Sequence, residues 1–147
     1  MEYCHCGSVA SYVRKGNRLN EEELREIASC CLLGLNYLHK KNIIHRVSIL
    51  TRIDGKDIKP DNLLISESGV IKVGDFGLAV QLEHACSNRN TVCGTSWYMG
   101  PEVYAGQCVL KSDVWSLGMS MIEIAEGKHP YASLSSFKVR SVDLVDA

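Results

Sequence analysis

The sequence predicts a single α+β domain that is mostly helical. Three observations predict it: a stretch of helical period at 20–40, a second at about 112–126, and a pair of short apolar runs joined by turn residues at 63–74. At 147 residues the chain is the size of one domain built around one hydrophobic core. Apolar residues at 46% and charged residues at 22% are ordinary globular values, which exclude disorder, collagen-like repeats and coiled coil.

The first helix has the clearest boundaries. Asn20 suits the N-cap, Glu23 the reciprocal position three residues on, and Glu21 and Glu22 the positive end of the helix dipole. Leu24, Ile27, Ala28, Cys31, Leu35 and Leu38 recur on one face, and His39, Lys40 and Lys41 bring cationic side chains to the carbonyl end. Gly34 costs about 1 kcal/mol relative to alanine inside a helix, which suggests the close approach of a neighbour. After the apolar pair Ile43-Ile44, the runs Leu63-Leu64-Ile65 and Val70-Ile71-Lys72-Val73 form a hairpin through the turn Ser66-Glu67-Ser68-Gly69. The stretch from Phe76 to Tyr98 has no period and reads as a long ordered loop, of the kind that carries function. In the second helix Val114, Leu117, Gly118, Met121, Ile122 and Ala125 mark the expected buried face, Trp115 is expected in the core, and Gly127 suits the C′ position.

Sixteen Lys and Arg against seventeen Asp and Glu leave a net charge of −1, which gives no footprint for nucleic acid or an anionic membrane. No apolar run reaches the ~18–20 residues of a membrane span. The start Met1-Glu2-Tyr3-Cys4 has no signal-peptide pattern, so a cytoplasmic location is expected. The seven cysteines are odd in number and poorly spaced for zinc or a disulfide framework, Cys4-His5-Cys6 included. They read as reduced thiols used as small hydrophobes.

Chemistry concentrates at the two outer ends of the hairpin. Asp57-Ile58-Lys59-Pro60-Asp61-Asn62 precedes it and Asp75-Phe76-Gly77 follows it. A hairpin sets its outer ends side by side, so Asn62 and Asp75 should approach each other. An amide and a carboxylate oxygen converging there suit Mg2+, which completes its octahedron with waters and substrate phosphates. Asp57 and Lys59 would flank the reacting group, as base and as positive charge on a phosphoryl oxygen.

Alone, each motif is weak. Together Asp57, Lys59, Asn62, Asp75-Phe76-Gly77, Gly94-Thr95, Pro101-Glu102 and Asp113-Val114-Trp115-Ser116-x-Gly118 stand in one order with sensible spacing. In this set the chain resembles the eukaryotic protein kinases from Met1 to about Tyr131. Met1-Glu2-Tyr3-Cys4 with Gly7-Ser8-Val9, Arg89-Asn90-Thr91-Val92, and Ile122-Glu123 with Ala125-Glu126-Gly127-Lys128 resemble the germinal-centre group of Ser/Thr kinases. The resemblance implies the mostly helical C-terminal lobe of the kinase fold, ATP and Mg2+ as cofactors, and protein substrates with Ser or Thr acceptors. It implies Asp57 as the residue accepting the hydroxyl proton, Lys59 as the γ-phosphate lysine of Ser/Thr kinases, and Asn62 and Asp75 as Mg2+ ligands. It puts Met1 at the gatekeeper, Glu2 and Cys4 at the adenine-binding hinge, Ser8 near the ribose and Leu64 on the pocket floor. It makes Thr91 an activation-loop phosphorylation site, Arg46 the residue that meets its phosphate, and Thr95 a partner of Asp57 and Lys59. Glu102 would pair with a C-terminal arginine, and buried Asp113 would hold the catalytic-loop backbone. A non-catalytic kinase-like interaction module, or a truncated gene product, is the alternative.

The chain departs from the pattern in three ways. It begins at the hinge, which implies a kinase fold truncated at its start and weak ATP binding by this chain alone. His45-Arg46 and Asp57, continuous in the family, are separated by the ten residues 47–56. Closing such a loop costs roughly 2 kcal/mol, but a misplacement of ~1 Å in a catalytic group can cost about a hundredfold in rate. The ends Val47-Ser48 and Lys56 can be encoded as splice sites, so the insert reads as a retained short intron or a gene-model error, with a surface loop turning at Asp54-Gly55 as the alternative. Finally, the chain stops soon after the second long helix, which predicts exposed apolar surface there and poor solubility. Gly100 stands where the family usually has alanine.

Overall fold

The computed structural model describes residues 4–45, 58–75, 80–81, 96–104, 107 and 109–134. Its elements are helix α1 (Val9–Arg14), helix α2 (Glu21–His39), strand β1 (Ile43–Ile44), strands β2 (Leu63–Ile65) and β3 (Ile71–Val73), strand β4 (Val80–Gln81), helix α3 (Pro101–Tyr104) and helix α4 (Leu110–Glu126). Single 3₁₀ turns occupy Pro60–Asn62 and Ser96–Tyr98.

The expected first helix, α2, forms with the expected cap. The Asn20 side chain accepts the Glu23 N–H at 2.9 Å, and the Glu23 carboxylate accepts the Asn20 N–H at 2.8 Å. Ile27, Cys31, Leu35 and Leu38 are its buried positions, whereas Leu24 and Ala28 stay half-buried. Gly34 does not serve a close approach: a Cβ built there would meet Val73 Cγ2 at 3.7 Å, an ordinary contact. Gly34→Ala should therefore stabilise the fold by about 1 kcal/mol, the helix-propensity difference, as read by denaturant unfolding.

The hairpin also forms. Leu63 pairs with Val73, Leu64 with Lys72 and Ile65 with Ile71. Gly69, at φ +80°, closes the turn by donating its N–H to the Ser66 carbonyl. Helix α1 was not foreseen. It starts from a serine pair: the Ser8 hydroxyl accepts the Ser11 N–H and the Ser11 hydroxyl accepts the Ser8 N–H, both at 3.1 Å. Its last residue, Arg14, grips Asp61 through two hydrogen bonds, at 2.7 and 3.2 Å.

The loop expected from Phe76 to Tyr98 holds regular structure where it is described, and 76–79 lie outside the described residues. Val80–Gln81 is a strand pairing antiparallel with β1, Ile44 opposite Val80, and Ser96–Tyr98 is a 3₁₀ turn. Between them, 82–95 lie outside the described residues.

The second long helix, α4, spans the expected region but buries a different face. Its buried residues are Ser112, Asp113, Ser116, Leu117, Met119, Ser120 and Ile124. Val114, Ile122 and Trp115, expected inside, are 45%, 42% and 37% exposed. The reason is that three serines at four-residue spacing find carbonyl or carboxylate partners on other segments, which makes the polar stripe the inner one. Gly127, at φ +71°, ends the helix.

The core joins these pieces. Val9 of α1, Ile27, Cys31, Leu35 and Leu38 of α2, Ile58, Leu63 and Ile71 around the hairpin, and Leu117 and Ile124 of α4 form one buried cluster. Cys31 is fully buried, and burial pushes its thiol up to about 12, so it acts as a small hydrophobe. Among the described residues no helix is long and apolar enough to cross a membrane.

Candidate active site

The hairpin brings its two outer ends together as its register requires. The Gly74 N–H donates to the Asn62 carbonyl at 2.7 Å, so Asn62 forms one side of a closed backbone contact that Asp75 directly follows. Asp75 takes φ +63°, a left-handed conformation that Asp and Asn tolerate better than other side chains. Gly74 is needed for close packing: a Cβ there would meet the Leu64 side chain at 2.8 Å and the Asn62 carbonyl oxygen at 3.3 Å. On the other side of Asn62, the 3₁₀ turn opens with buried Pro60 and is closed by the Asn62 N–H on the Lys59 carbonyl at 2.8 Å. Lys59 is half-buried at its start.

A second set of predicted residues meets along β2. Ser8 bridges antiparallel to Leu64, the Ile65 N–H donates to the Gly7 carbonyl at 2.9 Å, and the Gly7 N–H donates to the Cys4 carbonyl at 3.2 Å. Cys4, Ser8 and Leu64 thus belong to one local unit. Met1, Glu2, Arg46, Asp57, Thr91 and Thr95 lie outside the described residues.

Asp113 ties the upstream segment to this centre. Its fully buried carboxylate accepts the His45 backbone N–H at 3.0 Å and the His39 Nε2–H at 2.9 Å. The His45 ring in turn donates from Nε2 to the Gly74 carbonyl at 3.0 Å. One chain of hydrogen bonds therefore runs from α4 through His45 to the residue preceding Asp75. His39, in the last turn of α2 as expected, also supplies a bond to Asp113.

From the same helix, the Ser120 hydroxyl donates to the Ile58 carbonyl and the Ser116 hydroxyl to the Tyr98 carbonyl, at 2.8 and 2.7 Å. The Ser112 hydroxyl donates to Glu102 at 2.5 Å, so among the described residues Glu102 has a serine partner. Gly100 accommodates that carboxylate, since a Cβ at 100 would meet both Glu102 oxygens at 2.6 Å. Ser116 stood in the Asp113-Val114-Trp115-Ser116-x-Gly118 motif, but none of the serines was assigned these partners from the sequence. Their signal was available, as Ser112, Ser116 and Ser120 share one helix face with Asp113.

Beyond α4 an aromatic cluster closes on Tyr98. Its hydroxyl donates to Glu123, and burial together with that carboxylate pushes the phenol well above its ordinary range. His129 stacks on Trp97 at 5.2 Å, meets Tyr98 edge-on at 4.8 Å, and accepts the Tyr131 N–H on Nδ1 at 3.0 Å. Burial lowers the His129 pKa against a weaker opposing pull from Glu123. The unfolded chain, near 6.5, therefore binds the proton first. Thermal stability should fall as pH drops below about 6.5 towards the lower folded value, and His129→Gln should flatten that slope.

A cavity of about 350 Å³ lies elsewhere, bounded by Val9, Leu19, Ile27, Ile65 and Ile71 with Glu22, Glu23 and Glu26, and includes none of the predicted catalytic or metal residues. The oxygen donors at the hairpin ends, one amide and one carboxylate, fit Mg2+, which takes few protein ligands and leaves the rest to water and phosphate. Comparison with known families gives a match that spans the fold: the family model described as protein kinase domain matches residues 1–144.

Proposed function

The chain belongs to the protein kinase domain family, and on that premise we propose that it transfers the γ-phosphoryl group of ATP to Ser or Thr hydroxyls of protein substrates. The observation that carries this reading is the closed contact between Gly74 and Asn62, which keeps Asn62 and Asp75 at one end of the hairpin. Asn62 and Asp75 are the residues that would hold Mg2+. When bound, the ion supplies positive charge to the phosphate oxygens.

Asp57 accepts the proton of the attacking hydroxyl, and the Lys59 ammonium faces the charge that develops on the moving phosphoryl group. Lys59 two residues after Asp57 is the feature that favours Ser/Thr over Tyr acceptors. By the resemblance, Thr95 would bond Asp57 and Lys59 and fix their orientation. Met1, Glu2 and Cys4 border the adenine, Ser8 the ribose, and Leu64 the pocket floor. The antiparallel bridge from Ser8 to Leu64 supports that grouping. Phosphate on Thr91 would pair with Arg46 and order the catalytic loop. Within the family, the motif around Thr91 and the Ile122-Glu123 pattern support the germinal-centre group.

Incubating the chain with γ-labelled ATP, Mg2+ and a mixed Ser, Thr and Tyr peptide library tests the reading. Label on Ser and Thr that requires Mg2+ is expected. At ATP concentrations raised to offset the weak binding expected of this chain alone, label on Tyr alone, or none, would contradict it.

A further inference from the structure

We propose that Ser120 is a positioning residue that holds the downstream end of the interrupted catalytic loop in place. It acts through Ile58, and it matters because residues 47–56 are present. The part of this that concerns Asp57 as catalytic base rests on the kinase reading above.

Helix α4 grips the chain on both sides of the interruption. Upstream, Asp113 accepts the His45 N–H at 3.0 Å. Downstream, Ser120 donates to the Ile58 carbonyl at 2.8 Å, and Ile58 itself is fully buried. Ser120 Oγ also lies 2.8 Å from the Ser116 carbonyl, and its single proton serves both. The Ser116 carbonyl belongs to the helix's own i→i−4 ladder, so the proton is worth more to the buried Ile58 carbonyl.

The two grips lie on one face of one rigid element. Asp113 and Ser120 are seven residues apart in α4, about two turns and a rise of roughly 10.5 Å. A direct His-Arg-Asp-Ile link has three peptide steps and spans at most about 11 Å. The grips are therefore spaced for the uninterrupted loop. With 47–56 present, thirteen steps separate His45 from Ile58, a reach of about 45 Å. Covalent length then no longer sets where Ile58 sits. The Ser120 bond and the burial of Ile58 take over that task, and Asp57 is the next residue upstream.

The test compares four chains: the full chain, Ser120→Ala, the chain lacking 47–56, and that chain with Ser120→Ala. Amide exchange over 58–65 is read by mass spectrometry, with 27–38 of α2 as internal control. Ser120→Ala should speed exchange over 58–65 roughly tenfold in the full chain, but about twofold or less where the insert is deleted. In phosphotransfer kcat should follow the same pattern, with KM for ATP unchanged. Equal acceleration in both backgrounds, or acceleration of 27–38 by the same factor, would overturn the proposal. If Ser120→Ala does not fold, Ser120→Cys, a weaker donor of similar volume, carries the same comparison. Absence of phosphotransfer from all four chains with the exchange difference intact would count against the kinase reading and leave the grip standing.

Discussion

Replacing Asp113 with alanine is expected to cost about 3 kcal/mol of stability or more, the largest loss from a single change in this fold. The carboxylate is fully buried and accepts two bonds, from the His45 N–H and from His39 Nε2. Alanine would leave the fully buried His45 N–H without an acceptor, at about 1–3 kcal/mol, and would take the carboxylate partner from the part-buried His39 ring as well. The melting temperature should fall by roughly 10 °C. The loss should spread to the hairpin end, because the His45 ring that bonds the Gly74 carbonyl is held through its backbone by Asp113. Asp113→Asn keeps the shape and one acceptor oxygen, so it should lose less. Calorimetry and denaturant unfolding of the two variants check this. A loss below about 1 kcal/mol for Asp113→Ala would mean that the carboxylate does not hold the segment.

Asp75→Asn should lower Mg2+-dependent phosphotransfer by about a hundredfold to a thousandfold while changing stability by no more than about 0.5 kcal/mol. The choice of asparagine matters. Asp75 sits at φ +63°, where asparagine is tolerated and alanine adds strain of about 1–2 kcal/mol. The amide keeps the size of the carboxylate and removes only its charge, so a rate loss without a stability loss isolates the electrostatic role. Retained activity would remove Asp75 from the proposed metal site.

The legible parts of the fold were those written locally. Asn20 and Glu23 stand three residues apart and cap each other, and Ser66 to Gly69 hold the turn residues of the hairpin. From that hairpin the juxtaposition of Asn62 and Asp75 followed from register alone. The buried face of α4 was misjudged because hydrophobic period assigns the core to apolar positions. Ser116 and Ser120 instead bury hydroxyls on the carbonyls of Tyr98 and Ile58, partners 18 and 62 positions away in sequence. His39 closes α2 as expected, but its bond to Asp113 was not legible, since that partner lies 74 positions further on. Helix α1 is six residues long and leans on a serine pair and on Arg14 with Asp61, so it leaves no amphipathic signal.

A divalent cation shared by Asn62 and Asp75 is the claim on which the functional account stands. Mn2+ in place of Mg2+, followed by electron paramagnetic resonance in the presence of ADP, reads it directly. The wild-type chain should convert free Mn2+ into a bound species that requires the nucleotide, and Asn62→Ala with Asp75→Asn should abolish that species. A bound signal of equal strength in the double variant would contradict the account.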